Sequence, residues 1–331
     1  MGQSSVEYRT VAQLDDAVVS WLAQLPRDID IVAGVPRSGL LVANLLALHL
    51  NVPMTDVAGL VEGRVIQSGA RFKGEDPHRF LWRPRHVLVV DDSVCSGSAM
   101  ARVKAELAAA GLPHRFTYAA VYMTPEARLD SHVDLYREVV DMPRVFEWNL
   151  MHGTVLANSC MDIDGVLCLD PTDDENDDGE RYLRFLRETP PLVLPTAPVG
   201  WLVTSRLEKY RTHTEEWLKR HDVVYGSLRM MQYPDMAARR AAKQYARFKA
   251  DVYIETGAWL FVESDAALCA HIAQLSGRSV FCTETREMVQ PGASASEARR
   301  APPPQEPALG AALRATARAM RQRLRGTPRQ G

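Results

Sequence analysis

The chain lacks long hydrophobic runs: no stretch approaches the roughly 20 apolar residues that a membrane-spanning helix needs. No charged, apolar and small-residue pattern of a secretory signal opens it. Cysteine is scarce. Cys95, Cys160, Cys168, Cys269 and Cys282 are odd in number and show no Cys-x-x-Cys spacing. That pattern argues against a disulfide framework and a zinc site, and for a reducing compartment. Internal repeats are missing too. The expectation from these absences is a cytoplasmic protein without a membrane partner.

At 331 residues, 46% hydrophobic and 24% charged, the chain has the size of two globular α/β domains. Net charge is −2 but unevenly spread: from Ala293 onward eight Arg stand against two Glu, so the body is mildly acidic. The domains are expected over residues 1–152 and 153–290. A Pro-, Ala- and Arg-rich basic tail over 291–331 reads as a flexible extension. A tail of this charge can also touch nucleic acid or the acidic body, but nucleic acid is not the expected partner.

The first half is organised around residues 86–100. Val87 to Val90 read as a buried parallel strand, with Asp91 and Asp92 at its carboxyl end. A small-residue turn, Ser93 to Ser98, leads into a helix-forming run from Ala99 to Ala110. Such a strand, turn and helix N-terminus make an anion cradle, because free backbone N–H groups and the helix dipole face the ligand. The preceding acids suit a sugar diol or a metal ion. A similar unit lies upstream. Ile29 to Gly34 read as a strand, Val35-Pro36-Arg37-Ser38-Gly39 as a turn, and Leu40 to Leu50 as a helix.

The run at 86–100 resembles the phosphoribosyl-pyrophosphate (PRPP) signature of the type I phosphoribosyltransferases. The resemblance implies that Asp91 and Asp92 hold the ribose 2′- and 3′-hydroxyls. Ser93, Cys95, Ser96, Gly97 and Ser98 would then cradle the 5′-phosphate. Cys95 departs from the small residue usual there. Pro36, Arg37, Ser38 and Gly39 occupy the place of the family's pyrophosphate loop. The interval from Gly63 to Arg85, with Arg64, Arg71, Lys73, Arg79, Arg83 and Arg85, would be a flexible hood over the reacting centre. Strands are expected at Pro53–Val57, Phe116–Met123 and Val133–Val140. Near Glu147, Trp148 and Asn149 the family places acceptor-binding elements. Trp148 stacks on a planar acceptor, with Glu147 or Asn149 reading its edge, or else is a core tryptophan.

The second half holds another signature. Met161-Asp162-Ile163-Asp164-Gly165 resembles the first motif of the haloacid dehalogenase (HAD) superfamily. That resemblance makes Asp162 a nucleophile and Asp164 a general acid/base, with Mg2+ beside them. Alternation in an extended segment would point both carboxylates to one side. Three further runs fit: Leu202 to Arg206, with Thr204 to bind a phosphoryl group; Lys249, or alternatively Lys243, to steady the charge; and Trp259 to Asp265, where Glu263, Asp265 or both reach the metal. Thr212-His213-Thr214-Glu215 has capping-box spacing for a helix start. The acidic interval between Leu169 and Pro195 leaves room for a minimal cap only.

The two resemblances imply one fold class, α/β with two domains. Each has a central, mainly parallel sheet: a type I phosphoribosyltransferase fold, then a HAD Rossmann-like fold. They imply a bifunctional enzyme that uses PRPP and a small-molecule acceptor and then removes the 5′-phosphate, for net ribosylation. Uncoupled base salvage plus nucleotide phosphatase, and a PRPP-sensing regulator, remain alternatives. A homodimer is an expectation from the resemblance alone.

Overall fold

A computed structural model of the chain describes residues 6–66, 81–128 and 132–292. Arg71, Lys73 and Arg79 of the expected hood, and the basic tail from residue 293, lie outside the described residues. The chain divides into two compact units, Glu7–Asn149 and Leu150–Gly331 with Met1–Val6.

In the first unit, strands β1 (Glu7–Arg9), β2 (Ile31–Gly34), β3 (Met54–Asp56), β4 (His86–Val94), β5 (Arg115–Met123), β6 (Leu135–Val139) and β7 (Arg144–Phe146) are formed. Five of them make a parallel sheet in the order β3-β2-β4-β5-β6, while β1 pairs with β7. Strand β4 is apolar on both faces because both are covered. Leu88 and Val90 join the cluster with Leu14, Val18, Val42 and Leu46, and Val87 and Val89 join the one with Met100, Val103 and Leu107. Helix Val11–Trp21 starts in a capping box in which Thr10 and Gln13 satisfy each other's backbone N–H. Helix Gly39–Leu50 stops at Asn51, whose φ of 54° ends the helical path.

Strand β4 runs beyond Val90, through the acid pair to Val94, so the cradle turn is shorter than the sequence suggests. Helix Ser98–Ala109 starts directly after Gly97. The chain leaves β2 for β3 on one side and crosses to β4 on the other. The crevice beyond the carboxyl ends of β2 and β4 is therefore a topological switch point, where open parallel sheets bind ligands.

The second unit contains β8 (Ser159–Met161), β9 (Val199–Leu207), β10 (Tyr225–Met231), β11 (Leu260–Glu263), β12 (Val280–Cys282) and β13 (Glu287–Val289). Their order is β10-β9-β8-β11-β12-β13, parallel throughout except for the antiparallel β12–β13 pair. Here the switch point lies between β8 and β11. A single helix, Glu180–Glu188, lies between β8 and β9 among the described elements.

Two local readings are corrected. Strand β8 stops at Met161, so Asp162 and Asp164 lie in a turn that closes through Gly165 at φ 76°, and not in an extended segment. The helix expected to start in a Thr212–Glu215 capping box begins at Arg211 and has no side-chain cap. Thr214 faces inward instead, where its hydroxyl accepts a hydrogen bond from buried Arg206 at 3.3 Å.

A Cβ added to Gly34 would lie 2.8 Å from both the Gly39 carbonyl oxygen and the Leu40 Cα, neither of which can swing away. Gly34→Ala is expected to lower stability by about 2 kcal/mol. Urea unfolding of the full chain measures it, and an unchanged midpoint would mean that the following helix shifts freely.

Candidate functional site

Each unit gathers carboxylates at its switch point. In the first, β4 carries Asp91 and Asp92 into the crevice with their side chains 8% and 4% exposed. The Asp92 N–H donates to Asp91 Oδ1 at 2.9 Å. Two further groups hold Asp92: the Ser38 hydroxyl donates to Oδ1 at 2.7 Å, and the Trp148 indole N–H donates to Oδ2 at 2.7 Å. Burial, then repulsion from Asp92, pushes the Asp91 carboxyl up to about 8. Gly39 is packed so closely that a Cβ there would stand 2.7 Å from the Val90 carbonyl oxygen and 3.0 Å from Asp91 Oδ1. The turn carrying Pro36, Arg37 and Ser38 therefore abuts the acid pair. Arg37 is exposed, and its Nη2 reaches Asn149 Oδ1 at 3.5 Å.

The cradle follows the pair directly. Cys95, Ser96 and Ser98 are exposed, whereas Gly97 is buried. Gly97 has φ 72°, and a Cβ there would stand 2.2 Å from the His132 ring, so only glycine fits. The Ser96 and Ser98 hydroxyls are 3.0 Å apart. Two residues missed in the sequence hold this turn from beneath. Thr124 Oγ1 donates to the Cys95 carbonyl at 3.0 Å, and buried Arg144 donates to the Val94 carbonyl at 3.1 Å. Neither has a local sequence signal, because each acts from a place distant in the chain, Thr124 just after β5 and Arg144 on β7.

The segment expected to bind an acceptor is engaged elsewhere. Glu147 Oε2 accepts the Val11 N–H at 2.8 Å, at the start of a helix. Trp148 is part-buried and stacks on Phe146 at 4.9 Å, with Tyr122 beyond at 5.3 Å from Phe146. Of the hood cations, Arg64 pairs with Asp56 and Glu62, and Arg85 directly precedes the amino end of β4, 3.9 Å from Asp30.

In the second unit Lys249 is the centre. Its ammonium, fully buried, lies 2.6 Å from Asp162 Oδ2 and 2.5 Å from Glu263 Oε2. Burial disfavours that charge, but the two carboxylates outweigh it and raise the lysine above its ordinary value. Asp162 is pushed well above the usual carboxylate range, mainly by burial, with Glu263 and Asp164 adding to it and Lys249 opposing. Lys243 is exposed at the end of helix Met236–Ala242 and does not share in this contact. Thr204 is fully buried on β9, and its Oγ1 accepts the Arg206 N–H at 3.2 Å. Asp265 is turned to its own helix, where it accepts the Leu268 N–H at 2.7 Å.

Asp164 is held by a residue the motif reading passed over. Arg206 Nη2 lies 2.6 Å from Asp164 Oδ1, and its Nε lies 3.1 Å from Oδ2, a two-nitrogen fork. Arg206 also contacts Thr214 and Cys168 and lies over the Phe185 ring. Strand alternation places it two residues after Thr204, which is the signal that could have found it. Asp170 was also missed. The protein around it, then Asp164 and Glu263, pushes its carboxyl up to about 6. Among the described residues, no group of three or more His, Cys, Asp or Glu side chains stands ready to hold a metal ion.

A buried acid pair, a turn of serines and glycine at a helix start and a second turn carrying Arg37 meet at one crevice of the first unit. Residues 10–149 match the phosphoribosyl transferase domain. Among solved structures, the chain is similar to a purine phosphoribosyltransferase from Pyrococcus horikoshii Ot3, at 22% identity and TM-score 0.33 over 44% of this chain and 94% of that one. It is also similar to a xanthine-guanine-hypoxanthine phosphoribosyltransferase from Helicobacter pylori, at 16% identity and TM-score 0.33 over 44% and 93%. A third is the orotate phosphoribosyltransferase from Aeropyrum pernix, at 22% identity and TM-score 0.28 over 39% and 70%. No curated protein matches the chain. The phosphoribosyl transferase domain ends where the first compact unit ends, at Asn149.

Two stability measurements test the charge arrangement. Asp91 binds its proton more tightly folded than unfolded, so its contribution is fully present below about pH 4 and is lost as pH rises through about 8. The stability of Asp91→Asn relative to wild type is thus expected to rise between pH 4 and 8 and then level off. Urea midpoints at pH 5, 7 and 9 measure it, and a constant difference contradicts it. Lys249→Met strands two buried carboxylates and is expected to cost about 3–5 kcal/mol. Adding Glu263→Gln should restore part of that loss, and a double variant as unstable as the single one would deny the pairing.

Proposed function

We propose that the first unit transfers a 5-phosphoribosyl group from PRPP to a nitrogen-bearing, nucleobase-like acceptor and releases pyrophosphate. The observation that carries this reading is the buried Asp91–Asp92 pair directly ahead of an anion cradle, inside a region that matches the phosphoribosyl transferase domain. Asp91 and Asp92 would take the ribose hydroxyls. The backbone of Ser93 to Ser98 would take the 5′-phosphate. Pro36 to Gly39, with Arg37 supplying charge, would take the pyrophosphate. The transition state carries positive charge on the ribose ring, and a carboxylate pair beside it lowers its energy.

The second unit is read as a HAD-type phosphohydrolase that removes the 5′-phosphate, so that the chain ribosylates its acceptor overall. The order β10-β9-β8-β11-β12 and the meeting of Asp162, Lys249 and Glu263 at one switch point support this reading. Mg2+ is the ion that the resemblance implies here, and Asp162 and Glu263 are paired with Lys249 in its place. Four carboxylates, Asp162, Asp164, Asp170 and Glu263, act on one another against two cations, Lys249 and Arg206. Asp162 and Glu263 would hold the ion, which supplies charge neutralisation at the phosphoryl group. Asp162 would attack phosphorus as the bond to the ribose 5′-oxygen breaks, with Asp164 protonating that oxygen; water that gives its proton back to Asp164 would then cleave the phospho-aspartate and release phosphate, while Thr204 and Lys249 bind the phosphoryl oxygens. A second reading, in which the two units act on unrelated substrates, draws on each unit having its own carboxylate site.

Mass spectrometry tests the coupled reading. Wild type and Asp162→Asn are incubated with magnesium, PRPP and a panel of nucleobases. The expected result is a phosphoribosyl adduct that accumulates with the variant and a ribosyl adduct with wild type. The same phosphorylated product from both would separate the two activities, and no consumption of PRPP by either would remove the transferase reading.

A further inference from the structure

Trp148 stands in the segment where an acceptor was expected to stack, yet its contacts point to the ribose side. Its face is covered by Phe146, with centroids 4.9 Å apart and planes 14° from parallel. Tyr122 continues the stack, 5.3 Å from Phe146 and 22° from parallel. The stack fixes the plane of the indole, and the N–H at its edge meets Asp92 Oδ2 at 2.7 Å. Ser38, from the turn after β2, meets the other oxygen at the same distance. Asp92 is thus gripped at both oxygens by donors from elements 54 and 56 residues away in sequence.

A carboxylate has about four lone-pair sites, and these two bonds use one on each oxygen. The remaining two stay available to a diol, with the carboxylate plane already set. A freely rotating Asp92 would lose that freedom on binding, whereas one held by a rigid aromatic donor has lost it beforehand. The neighbours of Trp148 divide similarly: Glu147 is spent on the Val11 N–H, and Asn149 meets Arg37 of the basic turn. Trp148 and Asn149 thus both reach residues assigned to the PRPP side of the crevice, Asp92 and Arg37.

We propose that Trp148 is a positioning residue for PRPP, which sets the Asp92 carboxylate through its indole N–H. This deepens the transferase reading and rests on it. PRPP carries the diol that Asp92 is oriented to receive, so the effect falls on PRPP affinity and needs no knowledge of the acceptor. Trp148→Phe keeps an aromatic ring in the stack and removes only the donor.

Isothermal titration of the full-length chain with PRPP in the presence of magnesium tests the assignment. Trp148→Phe is expected to weaken PRPP about tenfold, as loss of one hydrogen bond to a charged group does. Trp148→Phe and Ser38→Ala together should weaken it further. In an Asp92→Ala background, Trp148→Phe should change PRPP affinity by less than twofold, because the group it orients is gone. A structural role alone would give the same loss in both backgrounds, and that result overturns the proposal. So does wild-type affinity in Trp148→Phe. If Asp92→Ala weakens PRPP while Trp148→Phe does not, the transferase reading stands and the role of Trp148 falls. If wild type does not bind PRPP, both fall together.

Discussion

A buried carboxylate must find a partner, and in this protein that requirement shapes both sites. Taking an ionised acid out of water is expensive unless hydrogen bonds or an opposite charge replace the water. Asp92 is satisfied by two neutral donors, Ser38 and Trp148, while its neighbour Asp91 is pushed up to about 8 by burial and by Asp92 itself. Asp162 and Glu263 share one ammonium, that of Lys249. The first solution uses hydrogen bonds without a countercharge, and the second uses one countercharge for two acids.

Parallel sheets concentrate these demands. A strand covered on both faces has no polar side chains along its length, so β4 reads as His-Val-Leu-Val-Val until it reaches the crevice, where Asp-Asp appears. Strand β11 does the same and ends in Glu263. At each position the polar residue begins where helical cover ends. The switch-point geometry then supplies a second turn at close quarters: Gly39 against Asp91 in one unit, and Gly165 against Ser264 in the other.

This explains what was legible in the sequence. The apolar runs of β2, β4, β5 and β11, and the acids towards the ends of β4 and β11, announce themselves, because burial and crevice chemistry act on contiguous residues. The turn after β4 was legible for the same reason, although the strand continues to Val94. The supporting residues were not. Arg144 and Thr124 act across the fold, and nothing in their immediate neighbours distinguishes them from surface residues; Arg206 had only its alternation with Thr204 to mark it. Trp148 was found but given a different partner, because its sequence context reveals an aromatic ring and not the direction of its N–H. The reading of Asp162 and Asp164 as alternating strand residues missed the turn at Gly165. A β-strand as short as Ser159–Met161 cannot be told from the loop that follows it by apolar pattern alone.

The two sites differ in the work they can do on a phosphate. The cradle after β4 offers backbone N–H groups, a helix N-terminus and serine hydroxyls, all of them neutral. Such donors hold a phosphate reversibly and have no means of attacking it. The turn after β8 offers a buried carboxylate oxygen with a lysine beside it, and Arg206 holding the next acid. An ion-paired carboxylate of that kind would serve the phosphoryl chemistry proposed for the second unit. A phosphate carried as a handle in the first unit and cleaved in the second would meet devices suited to each task. The order of events would then follow from chemistry: the 5′-phosphate is needed while PRPP is bound, and becomes dispensable once the bond to the acceptor has formed.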